Sequence, residues 1–367
     1  MPIHSEERQC LEGMLGVVTL DAPETMNALS EQMIDTMQAQ LDQWENDDRI
    51  CLVMIQGAGE KAFCAGGDIR QLYPALNGPE AERTAARVFS KEYHLDYTLH
   101  RYPKPVIGWA RRVVMGGGLG ILAACRYRLV TPDLIMAMPE VGIGLFPDVG
   151  ASWFLNRLPE GLGLFLGLTG ACLNATDALR IGLADIAVYA DQRDSLLDAL
   201  QSQRWSGEVA TDDSRLYRLL NRISTPPYET LPPSQLMQHE QTIGRICGEG
   251  DLADIVDRLQ AEPVNSEWWH RCMQSLVGGN PVSAWLLHEQ LKRGRQMSLK
   301  DIFRMELVMA TRCAGQPDLA EGIRARLIDR DQAPRWSCHQ IREVSHEHVE
   351  LYFVPPWSDR DDPLANL

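Results

Sequence analysis

The sequence predicts an α/β core followed by a helical remainder, and three observations carry that class. Over residues 1–190, short β-rich runs alternate with stretches of helical spacing, and glycine turns separate them. One run, Ile50–Gln56, is apolar almost throughout, as a strand covered on both faces would be. Over residues 191–367 only helical patterns follow, broken by turn-rich stretches that include Pro226-Pro227 and Pro232-Pro233.

Taken in order, Gly16–Leu20 is the first β-rich run. Ser30 offers an N-cap oxygen, and Met33, Ile34, Met37, Leu41 and Trp44 follow at helical spacing. Ile50–Gln56 ends at Gly57, and Asp68 stands where it can cap a helix after the Gly66-Gly67 turn. Pro105–Ala110 is another strand, Gly116–Gly118 opens a small-residue helix towards Cys125, and Tyr127–Val130 and Ile135–Met138 are two more short strands. Ser195–Gln203, Ser214–Ile223 and Leu252–Leu259 read as helices. Asn280 with Pro281 fits an N-cap followed by proline at the first helical position. Ser298-Leu299-Lys300-Asp301 resembles a capping box with Asp in place of Glu. Residues 1–190 are expected to hold the core and the active site, and residues 191–367 to form a helical region packed on it rather than a second catalytic domain.

Composition narrows the function. A net charge of −15, with the acidic residues dispersed, argues against general nucleic-acid binding, which needs a basic face. A local cluster such as Lys292, Arg293 and Arg295 could meet a polyanionic small ligand, although a solvated helix end explains it more simply. No apolar run approaches the ~18–20 residues of a membrane span. The start, Met-Pro-Ile-His-Ser-Glu-Glu-Arg, has neither the basic nor the apolar region of a signal peptide. The nine cysteines lie singly with no Cys-x-x-Cys, so reduced thiols and a cytoplasmic location are expected. Between Gln9 and Gln238 the only histidines are His94 and His100, and no clustered ligand set exists, so no metal site is expected.

The chemistry is signalled by carboxylates and glycines. Met138 to Gly150 reads Met-Pro-Glu-Val-Gly-Ile-Gly-Leu-Phe-Pro-Asp-Val-Gly, placing Glu140 and Asp148 in an otherwise apolar stretch. Buried carboxylates are costly unless they are hydrogen-bonded or have work to do. Upstream lie two glycine turns, Phe63-Cys64-Ala65-Gly66-Gly67-Asp68 and Gly116-Gly117-Gly118, whose backbone N–H groups could bind a developing oxyanion. The combination suggests acyl chemistry on a carbonyl substrate. Other motifs fail. Gly150-Ala151-Ser152-Trp153-Phe154 lacks the closing glycine of a nucleophile elbow, and no histidine follows until His239. Gly161-Leu162-Gly163-Leu164-Phe165-Leu166-Gly167 is one residue too long for a dinucleotide fingerprint and fits helix packing better. Cys64 has no evident basic partner and reads as a buried small hydrophobe.

Lys61-Ala62-Phe63-Cys64-Ala65-Gly66-Gly67-Asp68-Ile69 and Met115-Gly116-Gly117-Gly118 are similar to the two oxyanion-hole segments of the crotonase (enoyl-CoA hydratase/isomerase) superfamily. Within it the chain resembles the 3-hydroxyisobutyryl-CoA hydrolase branch. The match includes Met138-Pro139-Glu140 with Gly144-Leu145-Phe146-Pro147-Asp148, Lys91-Glu92-Tyr93, Glu321-Gly322-Ile323-Arg324-Ala325 and Leu327-Ile328-Asp329-Arg330-Asp331. The resemblance runs from about residue 10 to residue 350 and is weakest in the middle helical stretch. It implies a crotonase-like spiral of ββα units with a helical C-terminal layer, and an acyl-CoA substrate. By matching positions, Gly67 and Gly117 would supply the oxyanion-hole N–H groups. Glu140 would act as general base on water or as nucleophile. Asp148 would position that water, hydrogen-bond a substrate hydroxyl, or both. Glu92 would contact substrate, the plainer alternative being a solvated helix residue. For Glu140 and Asp148 the plainer alternative is helix capping after Pro139 and Pro147.

One departure separates hydrolase from hydratase. Hydratases of the superfamily hold water between two glutamates, and the earlier of the two falls here on Gly120, which has no side chain. Three readings follow: hydrolysis of a 3-hydroxyacyl-CoA, 3-hydroxyisobutyryl-CoA of valine breakdown foremost; an enoyl-CoA isomerase or hydratase using Glu140 alone; and a non-catalytic acyl-CoA-binding or scaffolding protein. No cofactor is implied beyond the CoA of the substrate, no nucleic-acid or membrane partner is expected, and a homo-oligomer is an open expectation.

Overall fold

The computed structural model describes residues 2–223, 226, 228–358 and 360–367. Of the Pro226-Pro227 turn, Pro227 lies outside the described residues. The chain divides into two compact units, each discontinuous in sequence. The first comprises Met1–Gly67, Leu95–Met136 and Leu173–Ser234, the second Asp68–His94, Ala137–Cys172 and Gln235–Leu367. The helices after residue 190 are divided between them.

In the first unit the strands are β1 (Ile3–Gln9), β2 (Met14–Leu20), β3 (Ile50–Gly57), β4 (Ala62–Cys64), β5 (Val106–Ala110), β6 (Val113–Met115), β7 (Tyr127–Val130), β8 (Ile135–Ala137) and β9 (Ile186–Ala187). They form two sheets, ordered β1-β2-β3-β5-β7-β9 and β4-β6-β8. β1 and β2 pair antiparallel, and β2 through β9 in the larger sheet pair parallel. The repeat is visible in the order. β3, β5 and β7 enter the larger sheet, and β4, β6 and β8 enter the smaller one directly after. This is the ββα spiral that the resemblance implies. Ile50 to Gln56 is buried at every position, as a strand with both faces covered requires. Helix Glu31–Glu45 buries Met33, Ile34, Met37, Leu41 and Trp44, and the Ser30 side chain accepts from the Met33 amide.

Three local expectations change. Asp68 makes no cap bond; its carboxylate accepts from Gln71, and a single 3-10 turn, Ile69–Gln71, follows. The helix expected at Ser214 begins at Val209, because Glu208 caps it by accepting from the Ala210 and Thr211 amides. Asp301 does not close a full box: its carboxylate takes the Ser298 hydroxyl at 2.6 Å, while its own amide donates to Ser298 Oγ.

The second unit is helical. At its centre lies Leu162–Thr169, buried at every residue. Phe165 stacks on Trp269 with ring centroids 5.4 Å apart, and a Cβ on Gly163 or Gly167 would collide with the Leu155 carbonyl or with Leu287. The glycines of 161–167 therefore serve helix packing. Two cations of the basic cluster near residue 293 are paired: Lys292 and Arg293 with Glu289, and Arg293 also with Glu350. No helix among the described residues is long and apolar enough to cross a membrane.

Candidate active site

In the first unit, two glycine turns touch backbone to backbone. After β4 the chain turns through Gly66 at φ +102°, a conformation glycine adopts freely. A Cβ there would meet the Met115 carbonyl at 3.0 Å and the Gly117 amide nitrogen at 3.5 Å. A Cβ on Gly118 would overlap the Cys64 carbonyl. The first turn is pinned from outside, by Leu29 N donating to Gly66 O at 2.8 Å and Ala65 N to Met26 O at 3.0 Å. Gly116, at φ +51°, is the N-cap of helix Gly117–Ala124. The Gly67 and Gly117 amides have no acceptor among the described residues. Gly117 opens its helix, where first-turn amides are orphaned and the helix dipole is positive. Cys64 is fully buried, as a small hydrophobe would be.

In the second unit, three carboxyl groups converge. Glu92 comes from helix Ala81–Arg101, Glu140 from the 3-10 turn Glu140–Ile143, and Asp148 from the loop after it. All three are buried, so solvation does not explain them, and neither Glu140–Ile143 nor Ala151–Phe154 takes a side-chain cap from its preceding residue. Asp148 Oδ2 accepts from the Tyr93 hydroxyl at 2.6 Å. Glu140 Oε2 has no hydrogen-bond partner among the described residues. Burial pushes the Asp148 carboxyl up to about 6, held back by the Tyr93 bond. Burial, reinforced by the Asp148 charge, lifts Glu92 to about 8. Glu140 is pushed well above the carboxylate range by burial first, then by Asp148 and Glu92. Asp148 is therefore the first of the three to ionise. Tyr93, buried beside Asp148, is itself raised and stays a donor.

The loop is held from several sides. Gly144, at φ +77°, lies where a Cβ would meet the Asp318 carbonyl at 2.5 Å, and Gly322 abuts the Ile143 carbonyl. Asp318 in turn accepts from Asn280 and from Ser337, and the Asn280 amide donates to Val141 O. Arg324 binds Glu321, Asp329 and Asp331, so segments 321–325 and 327–331 are tied by an ion-pair network. After Asp148 comes Val149 at φ +54°, a conformation costing a non-glycine residue of order 1–3 kcal/mol. Gln290 donates to Pro147 O at 2.6 Å. Glu306 accepts from the Gly150 amide at 2.7 Å and the Ser152 amide at 2.9 Å.

The structure thus brings Glu92, Glu140 and Asp148 together, and it places Gly67 and Gly117 in the paired turns of the first unit. Reading the sequence does not single out Tyr93, Gln290 or Glu306. For Glu306 a signal exists: it shares the inward face of helix Leu299–Ala314 with Ile302, Phe303 and Met309, where a charge is out of pattern. Tyr93 is adjacent to Glu92 but points to Asp148, 55 residues away in sequence, and spacing alone does not reveal that contact.

The enoyl-CoA hydratase/isomerase family model matches residues 15–353. A protein named 3-hydroxyisobutyryl-CoA hydrolase, mitochondrial, from Danio rerio is 36% identical over 342 residues, covering 93% of this chain and 87% of that protein. The Homo sapiens protein of the same name is 32% identical over 343 residues, covering 93% and 86%. Among solved structures, an enoyl-CoA hydratase from Rhodobacter sphaeroides 2.4.1 matches with a TM-score of 0.82 at 30% identity, covering 96% of this chain and 97% of that one. A carnitinyl-CoA dehydratase from Mycobacterium thermoresistibile matches with a TM-score of 0.83 at 34% identity, covering 96% of each.

Proposed function

The chain belongs to the enoyl-CoA hydratase/isomerase family, and from that premise we propose that it hydrolyses a short 3-hydroxyacyl-CoA thioester, 3-hydroxyisobutyryl-CoA foremost, as a step of valine breakdown. The relatives named 3-hydroxyisobutyryl-CoA hydrolase span nearly the whole chain and support the substrate. The observation that carries the chemistry is the buried trio Glu92, Glu140 and Asp148, set against a glycine at position 120. Addition of water across a double bond by the paired-glutamate route needs a carboxylate at 120. Hydrolysis needs one carboxylate to act on water or on the acyl carbon, and donors for the oxyanion.

In this reading the Gly67 and Gly117 amides stabilise the thioester oxygen as it becomes an oxyanion. Glu140, once ionised, takes a proton from water as the water attacks the thioester carbon, or attacks that carbon itself to form an anhydride that water then opens. The tetrahedral intermediate collapses, the C–S bond breaks, and the thiolate of CoA leaves and is protonated. Asp148 orients the water and accepts from the substrate hydroxyl, and Glu92 contacts substrate. No cofactor or metal is required. Because Glu140 must shed a proton that burial and Asp148 hold on it, turnover climbs with pH well above the ordinary carboxylate range.

The solved neighbours named hydratase and dehydratase favour a second reading, hydration of an enoyl-CoA by Glu140 alone. One sample decides between the two. Thiol release from 3-hydroxyisobutyryl-CoA, read with a thiol-reactive dye, is expected to exceed the loss of enoyl absorbance from a short enoyl-CoA, and the reverse overturns the hydrolase reading. A cytoplasmic location remains part of our reading, whereas the relatives are named mitochondrial. Fractionation of a cell expressing the tagged chain tests it.

A further inference from the structure

We infer that Glu306 is a positioning residue of this site: from inside helix Leu299–Ala314 it clamps the left-handed turn at Val149-Gly150 and thereby sets where the Asp148 carboxylate stands.

Val149 is β-branched, buried, and sits at φ +54°, a conformation such residues rarely adopt without being held there. Gly150 follows at φ +84°, so two consecutive left-handed residues reverse the chain directly after Asp148. The reversal aims the Gly150 and Ser152 amides at Glu306, and each side-chain oxygen accepts from one of them. These are the N-cap and second positions of the helical turn Ala151–Phe154, which has no side-chain cap of its own. Glu306 thus supplies from more than 150 residues away the cap that the local sequence lacks. Its own position is costly, being fully buried among Ile302, Phe303, Leu307 and Met309. A helix needing only to pack would carry an apolar residue there. Gln290, holding the Pro147 carbonyl, fixes the other side of Asp148. Between these two clamps the Asp148 side chain meets Tyr93 at 2.6 Å.

The inference rests on the reading of Asp148 as part of the hydrolytic site. Glu306→Gln keeps the size of the side chain but sets an NH2 group against one of the two amides. In the full chain, with far-UV circular dichroism showing an intact fold, kcat for thiol release is expected to fall about 10- to 100-fold, as misplaced reacting groups typically cost. KM should stay close to the wild-type value, and amide hydrogen exchange should quicken over residues 146–155 but not over the helix at 162–169. Glu306→Asp, which keeps the carboxyl group and withdraws it by one methylene, should lie between, and it carries the same readouts if the glutamine variant does not fold. A variant with lowered thermal stability but wild-type kcat overturns the inference, since that is what a purely structural glutamate would give. If the wild type released no thiol, the hydrolase reading would fall, and hydrogen exchange would judge the clamp by itself: unchanged exchange over 146–155 in Glu306→Gln overturns it.

Discussion

The Tyr93 hydroxyl donates to Asp148 Oδ2 at 2.6 Å, between two residues buried in the same unit. The tyrosine ring is flanked by Phe89 and Phe303, with centroids 5.9 and 6.0 Å away, so the hydroxyl has little freedom to turn elsewhere. A hydrogen bond donated to a carboxylate favours its charged form, and here it opposes the burial that would keep Asp148 protonated. The bond therefore orders the cluster, with Asp148 giving up its proton while Glu92 and Glu140 keep theirs.

Tyr93→Phe removes that donor and leaves the ring. Hydrogen bonds to charged groups contribute roughly 1.5–3 kcal/mol, and one pKa unit corresponds to about 1.4 kcal/mol. The Asp148 carboxyl is thus expected to titrate about 1–2 units higher than in the wild type. Carbon-13 NMR of aspartate-labelled protein reads this directly. A titration unmoved from the wild-type position would show that the 2.6 Å contact does not control the charge on Asp148.

Glu140→Gln preserves size and loses the proton-accepting oxygen, so thiol release should fall at least ~10²-fold, and further if Glu140 is the nucleophile. Asp148→Asn tests the coupling. Removing a like charge beside Glu140 lowers its pKa, so the rising limb of kcat/KM should move to lower pH even as the maximum falls. The loss should also be larger on a 3-hydroxyacyl-CoA than on the same acyl chain without the hydroxyl. Equal losses on both would remove the hydroxyl-binding role of Asp148, and an unmoved limb would remove Glu140 as the group that must ionise.

Stability carries the same electrostatics with a defined sign. Glu92 has a folded-state pKa of about 8, raised by burial and by Asp148, against an unfolded value near 4.3. A carboxyl raised on folding binds its proton more tightly in the native state. Its contribution is fully present below the unfolded value and is lost as pH rises through about 8. Glu92→Gln cannot titrate, so its urea midpoint should decline less than that of the wild type between pH 5 and pH 8. Parallel declines would mean that Glu92 is not held protonated by the fold.

Much of this was legible in the residues. The Ser30 cap with five helically spaced apolar positions predicts helix Glu31–Glu45, because local propensity, capping and burial there agree. Glu140 and Asp148 stand out because two carboxylates in an apolar run are costly. What sequence reading could not reach are contacts made across long separations. Glu306 closes on amides 154 and 156 residues away, and no spacing rule encodes such a pairing. The cap at Glu208 was hidden for a different reason, since glutamate is an uncommon N-cap. Nothing in a valine at 149 announces a left-handed backbone; the neighbours impose it.

The paired glycine turns can be tested independently of the carboxylates. Gly117 is the proposed donor, and Gly117→Val, which keeps the amide N–H but crowds it away from the oxyanion, should cost at least ~10²-fold in turnover, the usual effect of losing one oxyanion contact. That variant alone does not separate a lost donor from a displaced turn. Gly118→Ala does, because position 118 donates nothing in the proposal, yet its Cβ would overlap the Cys64 carbonyl. Backbone cannot swing aside as a flexible side chain can, so the two turns must part, with an overpacking cost of about 1–3 kcal/mol. Gly118→Ala is therefore expected to lower both thermal stability and kcat. If Gly118→Ala hydrolyses thioester at the wild-type rate, the spacing of the two turns does not matter to the reaction. The oxyanion role would then have to leave Gly67 and Gly117, since their amides are held in place by this backbone contact.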